Sequence, residues 1–293
     1  MKFSVIIPVW NAEKTIESCL DSIFSQTSVP DEIIVIDGGS HDATLSIVEK
    51  YLRPEDYVYT EPDNGPYDAM NKGVAKAQGE IVAILNADDY WMPETCESVR
   101  EAFAHCSHNT GIVHGDLKYI EEDGASKIIR PVPSVLNYFC IGMPTAHPAT
   151  FILKEVYNDV GCYDFERYPM CADRDFVYRA LNHGYKLKYV ERVLSCMRAG
   201  GLSSRTEYTH EIWQIIDRLP QPRKLMVKAL RRLLGAQELQ YTDSYDDAWP
   251  KEIAQAIVTL GGAPKKVLAS ITMRLALRTR VRRLMEAMTS KMK

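Results

Sequence analysis

The sequence has no apolar run approaching the roughly 18 residues that cross a bilayer, no CxxC pair, and no GxGxxG after its first strand-like segment. The first absence excludes a hydrophobic spanning helix. Met1-Lys2 leads straight into a short strand-like stretch instead of a signal-peptide hydrophobic region, so the expected location is the cytoplasm. The second absence leaves seven scattered cysteines, Cys19, Cys96, Cys106, Cys140, Cys162, Cys171 and Cys196, an odd number that suits reduced thiols better than a disulfide framework. His105-Cys106-Ser107-His108 has no second Cys/His pair to complete a metal clip and reads as a solvated helix end. The third absence argues against a Rossmann oxidoreductase. Internal repeats and low-complexity tracts are also missing, and 16 Gly and 15 Pro among 293 residues exclude collagen-like or wholly disordered chains.

What is there is an ordinary globular composition, 46% hydrophobic and 25% charged, long enough for one large α/β domain with an appendage or for two modest domains. The net charge of −4 hides a split. Residues 222–293 carry 15 basic and 6 acidic side chains, a surplus of +9, which leaves −13 for residues 1–221.

Residues 3–7, 32–36, 57–60 and 81–85 are β-rich runs separated by helix-length amphipathic segments at 12–26, 42–52 and 66–78. This rhythm predicts a mostly parallel sheet in an α/β fold, with ligands bound beyond the carboxyl ends of the strands. The residues lying there are Pro8 to Asn11, Asp37 to Ser40, Glu61 to Gly65 and Asn86 to Asp89. After residue 110 the pattern changes to hairpin-like pieces at 111–119 and 127–130, a proline-bearing stretch at 131–148, and a helix at 173–183. From 206 onward only helical patterns occur, at 207–218, 223–234, 250–260 and 265–289. The expected domains are therefore 1–205 and a helical C-terminal region, 206–293.

Asp88 and Asp89 follow directly on a buried strand, where mutual repulsion and desolvation penalise two carboxylates unless a cation or hydrogen-bond donors stand by. Mg²⁺ or Mn²⁺, which takes one or two protein carboxylates together with substrate phosphate oxygens, is the natural partner. The plainer alternative is that Asp88 or Asp89 caps a helix beginning near Pro93.

The pair has company in a fixed order: Ser4-Val5-Ile6-Ile7-Pro8-Val9-Trp10-Asn11, Glu32 to Ser40, Asn71-Lys72-Gly73, and Gly79 to Asp89. This set resembles the family 2 glycosyltransferases of the GT-A fold, over roughly residues 3 to 205. The stretch Glu61 to Gly73, followed by His147-Pro148-Ala149-Thr150-Phe151 and Cys171-Ala172-Asp173-Arg174-Asp175, is similar to the WcaE-like subgroup that builds colanic acid and other surface polysaccharides. The resemblance implies a metal-dependent inverting enzyme using a nucleotide-sugar donor, with UDP-sugar first and GDP-sugar second, and a lipid-linked saccharide acceptor. It implies that Pro8, Val9, Asn11, Asp37, Asp63, Asn64, Asn71 and Asp88 line the nucleotide pocket, with Asp37 accepting a hydrogen bond from the base. Asp89 would be the principal ligand of Mn²⁺ or Mg²⁺. Asn86 stands where many relatives have Asp, and no His follows the last strand as it does in some, so the metal would rest mainly on Asp89 and the diphosphate.

An inverting transfer needs a base facing the acceptor hydroxyl. Asp173 and Asp175 open one predicted helix and, two residues apart, lie about 200° apart around it, so both cannot serve one cleft. The family's Glu-Asp pair aligns with Ala172-Asp173, which selects Asp173 and leaves its neighbouring Glu missing. The alternative makes Asp173 an N-cap and Asp175 a first-turn charge. Weaker candidates for acceptor or diphosphate contacts are His147, Asp116 at the end of a strand, and Arg198 beside the Gly200-Gly201 loop. Trp10 and Trp91 are either sugar platforms or packing.

Residues 264–293 hold nine Lys or Arg against Glu286 alone, with apolar positions 267, 271, 275, 281, 284 and 288 forming a stripe. A basic amphipathic helix of this kind suits an anionic membrane surface, which would place the protein peripherally on the inner face of the cell membrane; the alternative is packing on the body or on a second subunit. No element for nucleic-acid readout accompanies the charge. The competing function is an inactive membrane-associated nucleotide-sugar sensor or scaffold.

Overall fold

The computed structural model describes residues 1–130, 145–201, 211, 214 and 215. The readings for 131–144 and for the helices beyond 206 lie almost wholly outside them. Apart from Gln214 and Ile215, the described residues belong to one compact unit, Met1–Pro133 with Met143–Ile212. Among the described residues no helix is long and apolar enough to cross a membrane.

The first four apolar runs form β1 (Phe3–Val9), β2 (Glu32–Asp37), β3 (Tyr57–Thr60) and β4 (Ile81–Ile84). They lie side by side, all parallel, in the order β3-β2-β1-β4. Every residue of β1 and β2 is buried, as a sheet covered on both faces requires. Pro8 lacks an N–H, yet stands where it does little harm, because β4 pairs only with Phe3–Ile6 and β1 keeps a neighbour on one side alone at that point.

The helices are α1 (Ile16–Phe24), α2 (Thr44–Val48) and α3 (Pro66–Lys76), shorter than the sequence pattern by several residues for the first two. Local side-chain bonds set the later starts. Asp42 Oδ1 accepts from the Thr44 N–H at 3.0 Å, and Asn11 takes a left-handed φ of 48° in the turn before α1. The apolar residues of the amphipathic segment 12–26, Ile16, Cys19, Leu20 and Ile23, are buried in one cluster with Phe3, Val5 and Ile7. On the opposite face α3 lies so close to β1 that a Cβ on Gly73 would collide with the Ile6 side chain, a physical reason for glycine in Asn71-Lys72-Gly73.

After β4 the sheet becomes mixed. β5 (Tyr90–Trp91) precedes α4 (Thr95–Ala104), and β6 (Thr110–Ile120) and β7 (Ser126–Ile129) form the expected hairpin. β8 (Thr150–Leu153) inserts antiparallel between β4 and β6; α5 (Lys154–Val160) and α6 (Ala172–His183) follow, and β9 (Lys186–Arg198) runs parallel to β6. β9 also carries β5 at the sheet edge, so that Tyr90 pairs with Cys196.

Two expectations are corrected here. The helix after Pro93 begins at Thr95 with Glu94 as its flanking residue and no side-chain cap, so neither Asp88 nor Asp89 caps it. Asp116 lies within β6, not at the end of a strand, and His114 and Asp116 are both buried. None of the six described cysteines forms a disulfide.

Candidate active site

The carboxyl ends of β1, β2, β3 and β4 deliver most of the residues singled out in the sequence to one end of the sheet. Val9 pairs in register with Asp37, and Asp37 with Thr60. Asn11 knits the first two loops together, its Oδ1 accepting from the His41 N–H at 2.9 Å while its own N–H donates to Ser40 Oγ at 2.8 Å. Asp37 is fully buried and turns back on its own loop, accepting from the Gly39 N–H at 3.2 Å and the Ser40 N–H at 3.1 Å. Its first task in this structure is to shape the β2 loop. Asp63 holds the next turn through the Gly65 N–H at 2.9 Å, and a Cβ on Gly38 would lie 2.5 Å from its Oδ2. The two loops are therefore in contact where only hydrogen fits. Asn64 is exposed, its N–H donating to Asp68 Oδ2 at 2.9 Å.

Asn71 is tied to the backbone of Tyr163. Its Nδ2 donates to the Tyr163 carbonyl at 2.8 Å and its Oδ1 accepts from the Tyr163 N–H at 2.9 Å. Each end of the amide bonds the backbone of this one residue, so Asn71 clasps α3 to the segment that precedes α6.

The acidic turn has the character expected of a cation site. Asp89 is buried, and burial together with the neighbouring Asp88 charge pushes its carboxyl well above the usual range. The donors it has are few: the Arg198 N–H at 3.3 Å and a long contact from Asn86 Nδ2 at 3.4 Å. The Arg198 guanidinium is occupied elsewhere, on the Asp88 carbonyl at 3.0 Å and Ser18 Oγ at 3.2 Å, with the Tyr90 ring 4.9 Å away. Gly201 covers the turn closely; a Cβ there would meet Asp88 Oδ2 at 3.3 Å. No group of three or more His, Cys, Asp or Glu side chains arranged to hold a metal occurs among the described residues. Asp88 and Asp89 are a pair of hard oxygen donors, the chemistry that Mg²⁺ or Mn²⁺ takes together with phosphate oxygens and water.

The second centre is a pocket whose lining includes Ile84, the last residue of β4, together with Thr145, His147, Thr150, Tyr163 and Asp173. Asp173 lies in the first turn of α6, and its Oδ1 accepts from the Tyr67 hydroxyl at 2.9 Å and from the Arg174 N–H at 2.8 Å. Asp175 is buried and paired with Arg179 at 2.7 Å, so the two carboxylates part company as the helix geometry requires. Thr145 is buried and its hydroxyl has no hydrogen-bond partner among the described residues. Burial pulls the His147 imidazole below its ordinary value, against the opposing pull of the Asp173 charge. Tyr67 is pushed well above the ordinary phenol range by burial and by Asp173, so at neutral pH it is a hydrogen-bond donor.

Asp116 stands apart from this pocket's lining. Its carboxylate accepts from the Tyr189 hydroxyl at 2.6 Å and pairs with Arg130 at 3.5 Å. Sequence reasoning passed over Tyr67, Tyr163 and Thr145. Tyr67 sits inside the stretch that carried the resemblance and was the one of the three with a signal.

The mixed sheet, with its parallel half leading into an acidic turn, has the architecture of the GT-A fold. Residues 4–143 match the family model Glycosyl transferase family 2. A PGL/p-HBAD biosynthesis glycosyltransferase of Mycobacterium bovis BCG is 29% identical over 264 residues, covering 87% of this chain and 94% of the relative. Glycosyltransferase AglE of Haloferax volcanii is 24% identical over 267 residues, 78% of this chain and 85% of the relative. Among solved structures, S. aureus TarS 1-349 in complex with UDP-GlcNAc superimposes with a TM-score of 0.63 at 22% identity, over 80% of this chain and 73% of that one. The mannosyltransferase PcManGT of Pyrobaculum calidifontis, in complex with GDP-Man and Mn²⁺, gives 0.54 at 18% identity, over 95% and 75%.

Proposed function

We propose that the protein is a metal-dependent inverting glycosyltransferase that moves a sugar from a nucleotide-sugar donor, UDP-linked before GDP-linked, to a hydroxyl of a lipid-linked saccharide. The observation that carries this reading is the pairing of two unlike carboxylate sites beside β4: Asp88-Asp89 directly beyond its end, and Asp173 in the pocket that its last residue, Ile84, helps to line. Asp88 and Asp89 would hold Mn²⁺ or Mg²⁺, which supplies charge to the departing diphosphate. The loops bearing Pro8, Val9, Asn11, Asp37, Asp63 and Asn64 would form the nucleotide side of the crevice.

Asp173 is the base. Tyr67 and the Arg174 N–H occupy Oδ1, and Oδ2 is left to take the proton of the acceptor hydroxyl. The acceptor oxygen forms its bond to the anomeric carbon as the bond from that carbon to the diphosphate oxygen breaks. One displacement of this kind inverts the centre. His147, held neutral by burial, and the unpartnered Thr145 hydroxyl are placed to orient the acceptor. The mycobacterial and archaeal relatives support a place in glycan assembly, and the WcaE-like motifs point to surface polysaccharide. The two-domain division at 205/206, with the basic C-terminal region resting on an anionic membrane at the cytoplasmic face, belongs to the same proposal.

The test is transfer from radiolabelled nucleotide sugars to extracted lipid-linked saccharides, with product stereochemistry read by NMR. Asp173→Asn should lower turnover by about 10³-fold or more while donor binding persists. Turnover unchanged in that variant, or retention at the anomeric carbon, overturns the mechanism.

A further inference from the structure

The family's Glu-Asp pair is broken here: Ala172 precedes Asp173, and an alanine can neither accept a hydrogen bond through its side chain nor carry charge. The start of α6 nevertheless has a carboxylate. Glu211 is 2% exposed, and its Oε2 accepts from the N–H of Met170 at 3.0 Å and of Cys171 at 2.9 Å. Cys171, the residue flanking the helix, makes no side-chain cap of its own. A buried carboxylate taking two N–H groups at a helix N-terminus is favourable on both counts, as hydrogen bonds to an ion and as a negative charge at the positive end of the helix dipole.

The same peptide is held from its other side. The Tyr67 hydroxyl lies 3.3 Å from the Met170 carbonyl and 2.9 Å from Asp173 Oδ1. Met170 is thus held through its N–H by Glu211, while the one Tyr67 proton goes to Asp173 at the shorter distance and the Met170 carbonyl is its longer, secondary contact. Tyr67 comes from α3, 106 residues before Asp173, and Glu211 lies 41 residues after Met170, beyond β9.

We propose that Glu211 is the positioning residue for Asp173, replacing from a distant part of the chain the support that Ala172 cannot give. This rests on the reading of Asp173 as the base. Glu211 touches no reacting atom; it sets where Asp173 Oδ2 stands relative to the acceptor. Since one oxygen accepts both N–H groups, a glutamine can do most of the same work through its carbonyl, an aspartate is too short to reach without moving the peptide, and an alanine does none of it.

The test uses the full chain with 3-fluorotyrosine at position 67, whose ¹⁹F signal reports the Tyr67–Asp173 bond without any substrate, alongside turnover with radiolabelled nucleotide sugar and extracted lipid-linked saccharides. Glu211→Ala should move the ¹⁹F signal in the direction that Asp173→Asn moves it and lower kcat about tenfold or more, with the donor KM within twofold of wild type. Glu211→Gln should restore both. The double variant Glu211→Ala/Asp173→Asn should be no slower than Asp173→Asn, because a positioning residue has nothing left to position. An unmoved signal or wild-type kcat in folded Glu211→Ala overturns the proposal. If that variant fails to fold, Glu211→Asp carries the same test, with a shifted signal and a several-fold lower kcat expected and wild-type values overturning it. A ¹⁹F shift in the Glu211 variants together with wild-type kcat in Asp173→Asn would leave the clamp intact and refute Asp173 as the base.

Discussion

The Tyr67 hydroxyl donates to Asp173 Oδ1 at 2.9 Å, joining α3, which follows the third strand, to the first turn of α6. Because a hydrogen bond to a charged group contributes about 1.5–3 kcal/mol, Tyr67→Phe should reduce kcat by roughly 10- to 100-fold. The donor KM should stay near wild type, since the bond lies on the acceptor side. Steady-state kinetics with both substrates varied will separate the two constants.

Asn71 provides the converse case. Its two amide bonds go to the backbone N–H and C=O of Tyr163, so Asn71→Ala leaves both groups without their partner at a cost of about 1–3 kcal/mol. Thermal unfolding should fall by several degrees, while calorimetry should find nucleotide affinity within about twofold of wild type. A large loss of affinity at unchanged stability would return Asn71 to the nucleotide pocket.

His114 ties stability to pH. It is buried in β6 with its Nδ1 unpartnered among the described residues, and burial lowers its pKa from 6.5 to about 4. The unfolded chain therefore binds a proton at this residue between those values while the folded chain does not. Its neutral form stabilises the fold fully above pH 6.5, and that contribution is lost as pH falls toward 4. Between pH 6.5 and 5 the loss amounts to roughly 1–2 kcal/mol from this residue. Denaturant titrations at the two pH values should show that His114→Gln abolishes this share of the pH dependence; equal slopes in the two proteins would contradict it.

The parallel half of the sheet was legible in the sequence because β1, β2 and β4 are buried on both faces and read as unbroken apolar runs. β9 was not. Its first eight residues are exposed or half-buried in an irregular order with no fully buried residue, and its pairing to β6 shifts register around Asp116, so no regular period survives in its sequence. The acidic turn was legible for a similar reason: two carboxylates after a buried strand demand an explanation from local sequence alone. The surroundings of Asp173 were not, because Tyr67 and Glu211 reach it across 106 residues and through a peptide 41 residues away, distances over which one sequence carries no pairing signal. The motif containing Asn71 was visible, but its bonds to Tyr163, 92 residues away, were not, since an amide that binds backbone and one that binds a nucleotide look alike in sequence.

The most direct test is a thermal-shift titration of the full chain with UDP and GDP, each with and without Mn²⁺, on wild type and Asp89→Ala. A ligand that binds only the folded state raises the melting temperature, by an amount equivalent to about 2.7 kcal/mol at 100 times its Kd. The account predicts a shift, larger for UDP than for GDP, that requires Mn²⁺ and vanishes in Asp89→Ala although that variant, relieved of a buried carboxyl beside Asp88, is itself folded. No shift with either nucleotide, or an equal shift in Asp89→Ala, would contradict it.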